Sequence, residues 1–286
     1  MRIGGHVSTA GGLVTAFERA QAIGAECIQI FGGPPQQWRS VRVSDEDARA
    51  FRERMAETGI QPVFIHAQYL INLASDDPAL LSRSKGALRS NLHLCAQIGA
   101  AGVIFHIGSH KGAGFDAVFA QVCDAIRQAL DESPPEARVV LENAAGQGGA
   151  VGATFTELGR IISELKSDRV GVCMDTQHAH AMGYDMATPA GIDAAMAEFQ
   201  REVGWDRLAA VHANDSKVPL GGARDRHENI GQGHIGLAGF EAIMAHEVFR
   251  NVPFLLEVPG MEGNGPDKPN VDALKAIRER LGVPAT

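Results

Sequence analysis

Residues 61–110 read QPVFIHAQYLINLASDDPALLSRSKGALRSNLHLCAQIGAAGVIFHIGSH. The stretch begins with QPVFIHA, an apolar, β-branched run too short for a helix, and ends with a second such run, AGVIFHI. Between them residues 78–98 carry a helical pattern, and Gly99 punctuates its end just before the next strand. This is one βα module leading into the next.

The module recurs along the chain. Further strand candidates are RIGGHV, ECIQIF, ARVVLEN, RVGVCMD, LAAVHAND and VPFLLEV. Helical stretches lie at 12–23, 44–58, 114–131, 154–164, 190–201, 238–246 and 270–281. Ser44 with Asp47, and Thr154 with Glu157, are start signals, and Gly59 marks a stop. The spacing is about 30 to 40 residues per unit, as βα modules require. Eight units with no composition shift and no long linker predict one (β/α)8 TIM barrel, residues 1–286, a single catalytic domain with its site at the C-terminal face of the strands. A doubly wound sheet fits less well, because GGHVSTAGG contains no G-x-G-x-x-G and no P-loop lysine motif is present.

Composition sets further bounds. The 286 residues are 45% hydrophobic and 21% charged, enough for a sizeable core. No apolar run approaches the roughly 18 residues that span a bilayer, and MRIGGHVS reads as a strand and not as a signal-peptide core. A cytoplasmic protein without membrane attachment is the expectation. Cys27, Cys95, Cys123 and Cys173 form no C-x-x-C pair, and Cys27 and Cys173 lie in strand-like runs that suit buried, reduced thiols. Metal chemistry would therefore come from histidines and carboxylates. The net charge of −8 argues against a nucleic-acid partner when taken over the whole chain.

The last residues of the expected strands form a pattern. His6 ends the first, His66 the third, His106 the fourth, Glu142 the fifth and Asp175 the sixth, with His178 just beyond. His212 ends the seventh, Asp225 and His227 follow in its loop, and Glu257 ends the eighth. One histidine at a strand end is more often a hydrogen-bonded core residue than a ligand. Four carboxylates and five imidazoles at one barrel mouth, leaving His6 aside, are another matter. Unneutralised carboxylates there would repel one another and shift their pKa values upward, and divalent cations remove that problem. Nine donors exceed what one ion uses and suit three. Imidazole-rich donors without thiolate fit zinc, manganese or iron(II). Clustered metals with open positions suit attack on a phosphate ester.

These residues sit in GGHVSTAGGL near the start, HAQYLINL at 66–73, FHIGSH at 105–110, LENAAGQG at 141–148 and MDTQHAHAMGYD at 174–185. HANDSK at 212–217, DRHENIGQGHIG at 225–236 and LEVPG at 256–260 follow. In that order, over essentially the whole chain, the motifs resemble the endonuclease IV family of apurinic/apyrimidinic endonucleases. The resemblance implies a (β/α)8 barrel with three Zn2+ ions, Mn2+ or Fe2+ being acceptable at some positions. It implies that His66, His106 and Glu142 hold the first zinc. Glu142 would bridge to the second, which also takes Asp175, His212 and Glu257, and His178, Asp225 and His227 would hold the third. Asp175 and His178 are expected to leave their strand through a short turn, and Asp225 and His227 to point the same way if their stretch is extended.

The implied reaction is hydrolysis of the phosphodiester bond 5′ to an abasic site in double-stranded DNA, leaving a 3′-hydroxyl, and the removal of 3′-blocking groups. The expected nucleophile is a hydroxide bridging the first two zincs, with Glu142 orienting it and Glu257 as a catalytic proton acceptor. A flipped-out abasic nucleotide is the expected bound form. The family places side chains from the second and third loops in the minor groove. Tyr69 matches that role, whereas Gln36 stands where a wedge arginine would align and brings no charge. Trp38 suits packing better than base stacking, and Gly260 replaces the more usual acidic residue after the proline. Lys111, Lys217, Arg224 and Arg226 fall in loops on the metal side, where local positive potential matters more than net charge. A monomer would suffice. A sugar isomerase or epimerase on the related xylose-isomerase-like barrel is the alternative. Such enzymes resemble this chain in a Glu, Asp, His, Glu set that Glu142, Asp175, His212 and Glu257 could supply.

Overall fold

The computed structural model describes residues 1–39 and 42–285; Ser40, which ends the GGPPQQWRS stretch, Val41 and Thr286 lie outside the described residues. Eight short strands form a closed parallel barrel: β1 (Ile3–His6), β2 (Ile28–Phe31), β3 (Val63–His66), β4 (Gly102–Phe105), β5 (Val139–Glu142), β6 (Val170–Asp175), β7 (Leu208–His212) and β8 (Phe254–Leu256). Each pairs with its sequence neighbours, and β1 closes the ring on β8 with Ile3 opposite Phe254. Helices over Thr15–Ile23, Asp45–Thr58, Pro78–Ile98, Phe115–Asp131, Phe155–Leu165, Pro189–Glu202, Gly236–Ala245 and Lys268–Arg280 follow the strands, close to the expected spans. The start signals work as local chemistry predicts. The Ser44 and Thr154 side chains accept from the Asp47 and Glu157 N–H groups, and Gly59 and Gly99 close helices in the left-handed conformation.

Side chains alternate between the two faces of each strand, and this places the site. Val63, Ile65, Val139, Leu141, Phe254 and Leu256 pack outward in the main core. Cys27, Phe64, Ile104, Val140, Cys173, Ala210 and Leu255 form a separate buried cluster that plugs the barrel interior. Two residues further along each of these strands stand Gln29, His66, His106, Glu142, Asp175, His212 and Glu257. An apolar floor thus carries a polar layer above it. A register shift in the β6–β7 pair between Val172 and Cys173 brings Asp175 directly opposite His212.

Two elements differ from the sequence expectation. Asp175 and His178 are not joined by a simple turn. Asp175 is the N-cap of a helix, Thr176–Met182, and its Oδ1 accepts from the His178 N–H at 2.7 Å. A single capping carboxylate at a strand end starts a helix too short to show apolar periodicity. The loop after β7 also folds into a two-residue antiparallel ribbon, Asp215–Ser216 with His227–Glu228. Among the described residues no helix is long and apolar enough to cross a membrane.

Candidate metal centre

Three groups of donors share the mouth of the barrel. The ligand atoms of His66, His106 and Glu142 lie within 4.8 Å of one another, as do those of Glu142, Asp175, His212 and Glu257, and of Asp175, His178 and His227. Glu142 divides its carboxylate between two groups. Its Oε2 lies 3.3 Å from His66 Nε2 and 3.5 Å from His106 Nε2, while its Oε1 lies 3.0 Å from His212 Nδ1. Asp175 is likewise shared: its Oδ2 is 3.9 Å from His212 Nδ1 and 3.6 Å from His227 Nε2. Asp225 completes the third group, with Oδ2 3.3 Å from His178 Nε2 and Oδ1 3.2 Å from His227 Nε2. All nine expected donors therefore converge, and Asp175 joins a group from which the sequence expectation had left it out.

The imidazoles are oriented from behind. His66, His178 and His227 each place Nδ1 on a backbone carbonyl, those of Ala67, Asn143 and Glu257, at 2.7, 2.9 and 3.2 Å. That leaves each Nε2 aimed at the carboxylates. His178 Nε2 and His227 Nε2 are buried and make no hydrogen bond. A metal ion is the partner such a nitrogen lacks, and a backbone carbonyl on the other ring nitrogen is the usual support for a ligating histidine. The donor set fits a cluster of borderline divalent cations.

The electrostatics correct one expectation. Glu142, Asp225 and Glu257 are not pushed up by mutual repulsion. Burial raises Glu142, but His106 and His212 outweigh it and hold the carboxyl well below its usual range. Burial also raises Glu257, and His212 with His66 brings it down to about 2. Burial raises Asp225 too, but the His178 and His227 imidazoles, 3.3 and 3.2 Å away, hold it below its usual range. His178 and His227 carry compensating charge. Burial alone lowers His178, yet Asp175 and then Asp225 raise it to about 10. His227 is raised against burial by Asp175 and Asp225. Protons thus occupy the positions at which cations would compete.

Several residues that hold the donors were not singled out in the sequence. Asn214 Nδ2 donates to Asp175 Oδ2 at 2.7 Å, and its Oδ1 accepts from the Glu257 N–H. Asn143 Oδ1 accepts from the Asp175 N–H. Buried Asp215 accepts N–H groups from Ser216, Gly231, Gly233, Ile235 and Gly236, which anchors the loop after His227. Gln29 bonds both His212 and Glu257. Asn143, Asn214 and Asp215 lie inside LENAAG and HANDSK, so adjacency to a ligand was the available signal.

The rim is less uniform. Tyr69 is half exposed, with its ring 5.3 Å from that of His66 and 5.9 Å from that of His106. Its N–H donates to the Pro35 carbonyl, which places exposed Gln36 on the adjoining loop. Arg226 is exposed and donates to the Asp225 carbonyl. Arg224 and Lys111 are exposed, while Lys217 faces Glu228 at 3.8 Å across the ribbon. Trp38 is partly buried beneath the Arg83 guanidinium, a packing position. Gly260 has φ +78°, and a Cβ there would lie 2.0 Å from the Gly265 carbonyl oxygen, so an acidic side chain is excluded by the backbone.

A family model described as xylose isomerase-like TIM barrel matches residues 17–280. A protein of Aquifex aeolicus (strain VF5) named probable endonuclease 4 is 39% identical over 275 residues, 96% of each chain. One of the same name from Trichlorobacter lovleyi is 41% identical over 277 residues, 96% of this chain and 99% of the other. The crystal structure of endonuclease IV from Thermus thermophilus superposes with a TM-score of 0.87 at 33% identity, covering 98% of this chain and 100% of that one. A D-tagatose 3-epimerase-like protein superposes at 0.72 with 16% identity, covering 98% and 97%, a likeness of fold.

Proposed function

Because the chain belongs to the endonuclease IV family, we propose that it is a DNA-repair endonuclease acting as a single catalytic domain. It hydrolyses the phosphodiester 5′ to abasic sites in duplex DNA, leaves a 3′-hydroxyl, and removes 3′-blocking groups. It works in the cytoplasm as a monomer. The observation that carries this reading is the division of Glu142 and Asp175 between neighbouring donor groups, because a single-ion site has no use for carboxylates so shared.

The donors would hold three divalent ions, zinc or in part manganese or iron(II). His66, His106 and Glu142 take one. Glu142, Asp175, His212 and Glu257 take the second, and His178, Asp225 and His227 the third, with Asp175 beside it. When bound, such ions supply a water made nucleophilic at neutral pH and positive charge for the phosphate oxygens and the departing 3′-oxygen. Glu142, kept in the carboxylate form by its imidazole neighbours, would orient a water, and Glu257 would accept a proton. The apolar plug beneath Glu142 and Asp175 keeps bulk water from entering from below. Tyr69 presents a flat face at the lesion, and Arg226 offers charge to a phosphate. Gln36 offers hydrogen bonds alone.

The sugar-isomerase reading uses only Glu142, Asp175, His212 and Glu257, and leaves His66, His106, His178, Asp225 and His227 without work. The test is incubation of metal-loaded protein with a duplex carrying one tetrahydrofuran abasic analogue. Incision on its 5′ side is expected, and intact strands at stoichiometric protein would refute the proposal.

A further inference from the structure

Of the residues that rise above the apolar plug, Gln29 on β2 is the one that is neither imidazole nor carboxylate, and it is fully buried. Its carboxamide makes three contacts. Nε2 donates to Glu257 Oε1 at 2.5 Å and to His6 Nδ1 at 3.0 Å, and Oε1 lies 2.8 Å from His212 Nε2. Only one orientation of the amide satisfies them. Reversed, it would set its oxygen against a carboxylate oxygen, two acceptors with no proton between them. With Nε2 on Glu257, the Gln29 oxygen must accept, so His212 must carry a proton on Nε2. Its Nδ1 then faces Glu142, Asp175 and Glu257 at 3.0, 3.9 and 3.4 Å.

His212 is thereby the reverse of its neighbours. His66, His178 and His227 are fixed through Nδ1 on main-chain carbonyls and turn Nε2 inward. Main-chain carbonyls are set by the fold, whereas the outer nitrogen of His212 is met by a side chain, that of Gln29. The same side chain holds Glu257, so one carboxamide orients two of the four donors in that group. On its far side it fixes His6 as an acceptor at Nδ1, and the His6 ring lines a cavity of about 710 Å³ with Phe31, Ser8, Pro34 and Pro266.

We propose that Gln29 is a positioning residue for the four-donor metal position, fixing which nitrogen of His212 faces it and holding Glu257 beside that nitrogen. This rests on the metal reading of that group and not on the identity of the substrate.

Two measurements test it. In zinc-loaded wild-type protein, long-range ¹H–¹⁵N correlation of the imidazoles should show His212 protonated on Nε2 with Nδ1 carrying the coordinated shift. A proton on Nδ1 would overturn the proposal without any variant. In Gln29→Leu, chelator competition should show one ion bound ~10–100-fold more weakly and the others unchanged, with circular dichroism as in the wild type. All ions held at wild-type affinity would overturn it. Gln29→Glu keeps an acceptor for His212 but sets a second carboxylate against Glu257. It should preserve the His212 ring pattern and still weaken that ion, which keeps the test open if the leucine variant does not fold. Wild-type protein that binds its ions as described but leaves abasic duplex intact would refute the nuclease reading and leave this one standing.

Discussion

Asp225 reaches across the mouth of the barrel to His178, its Oδ2 3.3 Å from the imidazole Nε2, although one stands in a loop and the other in the Thr176–Met182 helix. His178 is held from behind by the Asn143 carbonyl, and Asp225 stands on the stretch that leads into the ribbon. The third donor group is thus assembled from one rigid helix start and one loop. The first two groups stand on the barrel strands or one residue past their ends.

His227→Ala removes a donor from that outer group alone. It should bind one fewer ion per chain, keep the far-UV spectrum of the wild type, and lose at least about 100-fold in incision rate, within the range of losing a transition-state contact. Metal analysis of the purified variant checks this. A full complement of ions would show that His227 is not a ligand.

Asp215 accepts five main-chain N–H groups, four of them from the segment that follows His227. Asp215→Ala leaves several of them buried without an acceptor, at roughly 1–3 kcal/mol each where water does not replace it. A loss of ~3 kcal/mol or more in urea unfolding is expected, with weaker retention of the outer ion. A variant as stable as the wild type would show that the loop holds its place by other means.

The metal-free protein should show a defined pH profile. Burial lowers His178, but Asp175 and Asp225 raise it to about 10, so its contribution is complete below its ordinary value of 6.5 and lost as pH rises through about 10. Burial raises Glu257, but His212 and His66 lower it to about 2, so its contribution is complete above 4.5 and lost as pH falls through about 2. Thermal stability in chelator should peak between pH 4.5 and 6.5 and decline on both sides. Added zinc should move the peak upward and release protons. Stability of the chelated protein that rises steadily above pH 6.5 would contradict these assignments.

The rim is tested through Gln36 and Tyr69. Gln36→Arg adds a positive charge to an exposed loop beside Tyr69 and should tighten binding to abasic duplex a few-fold at low salt, with a steeper salt dependence. Tyr69→Ala should raise KM for incision more than it lowers kcat. Unchanged affinity in the first would show that the second loop does not reach the groove.

The barrel was legible because each strand repeats one short apolar pattern and each helix is long enough to show its period. The donors were legible because a carboxylate such as Glu142 at the end of VVLE has few reasons to be buried. The capping of a short helix by Asp175 was not, since TQHAHAM is too brief to show periodicity. The downward shift of Glu142, Asp225 and Glu257 also escaped the sequence, because it depends on which imidazoles stand within a few ångströms. Asn214 and Gln29 look like ordinary polar residues until the strands are placed side by side, and only then does each meet two donors at once.

The central claim is that these nine donors hold three ions. Elemental analysis of protein purified without chelator, referenced to amino-acid analysis, measures that directly. Close to three divalent ions per chain is the expected result, and a single ion per chain would contradict the account.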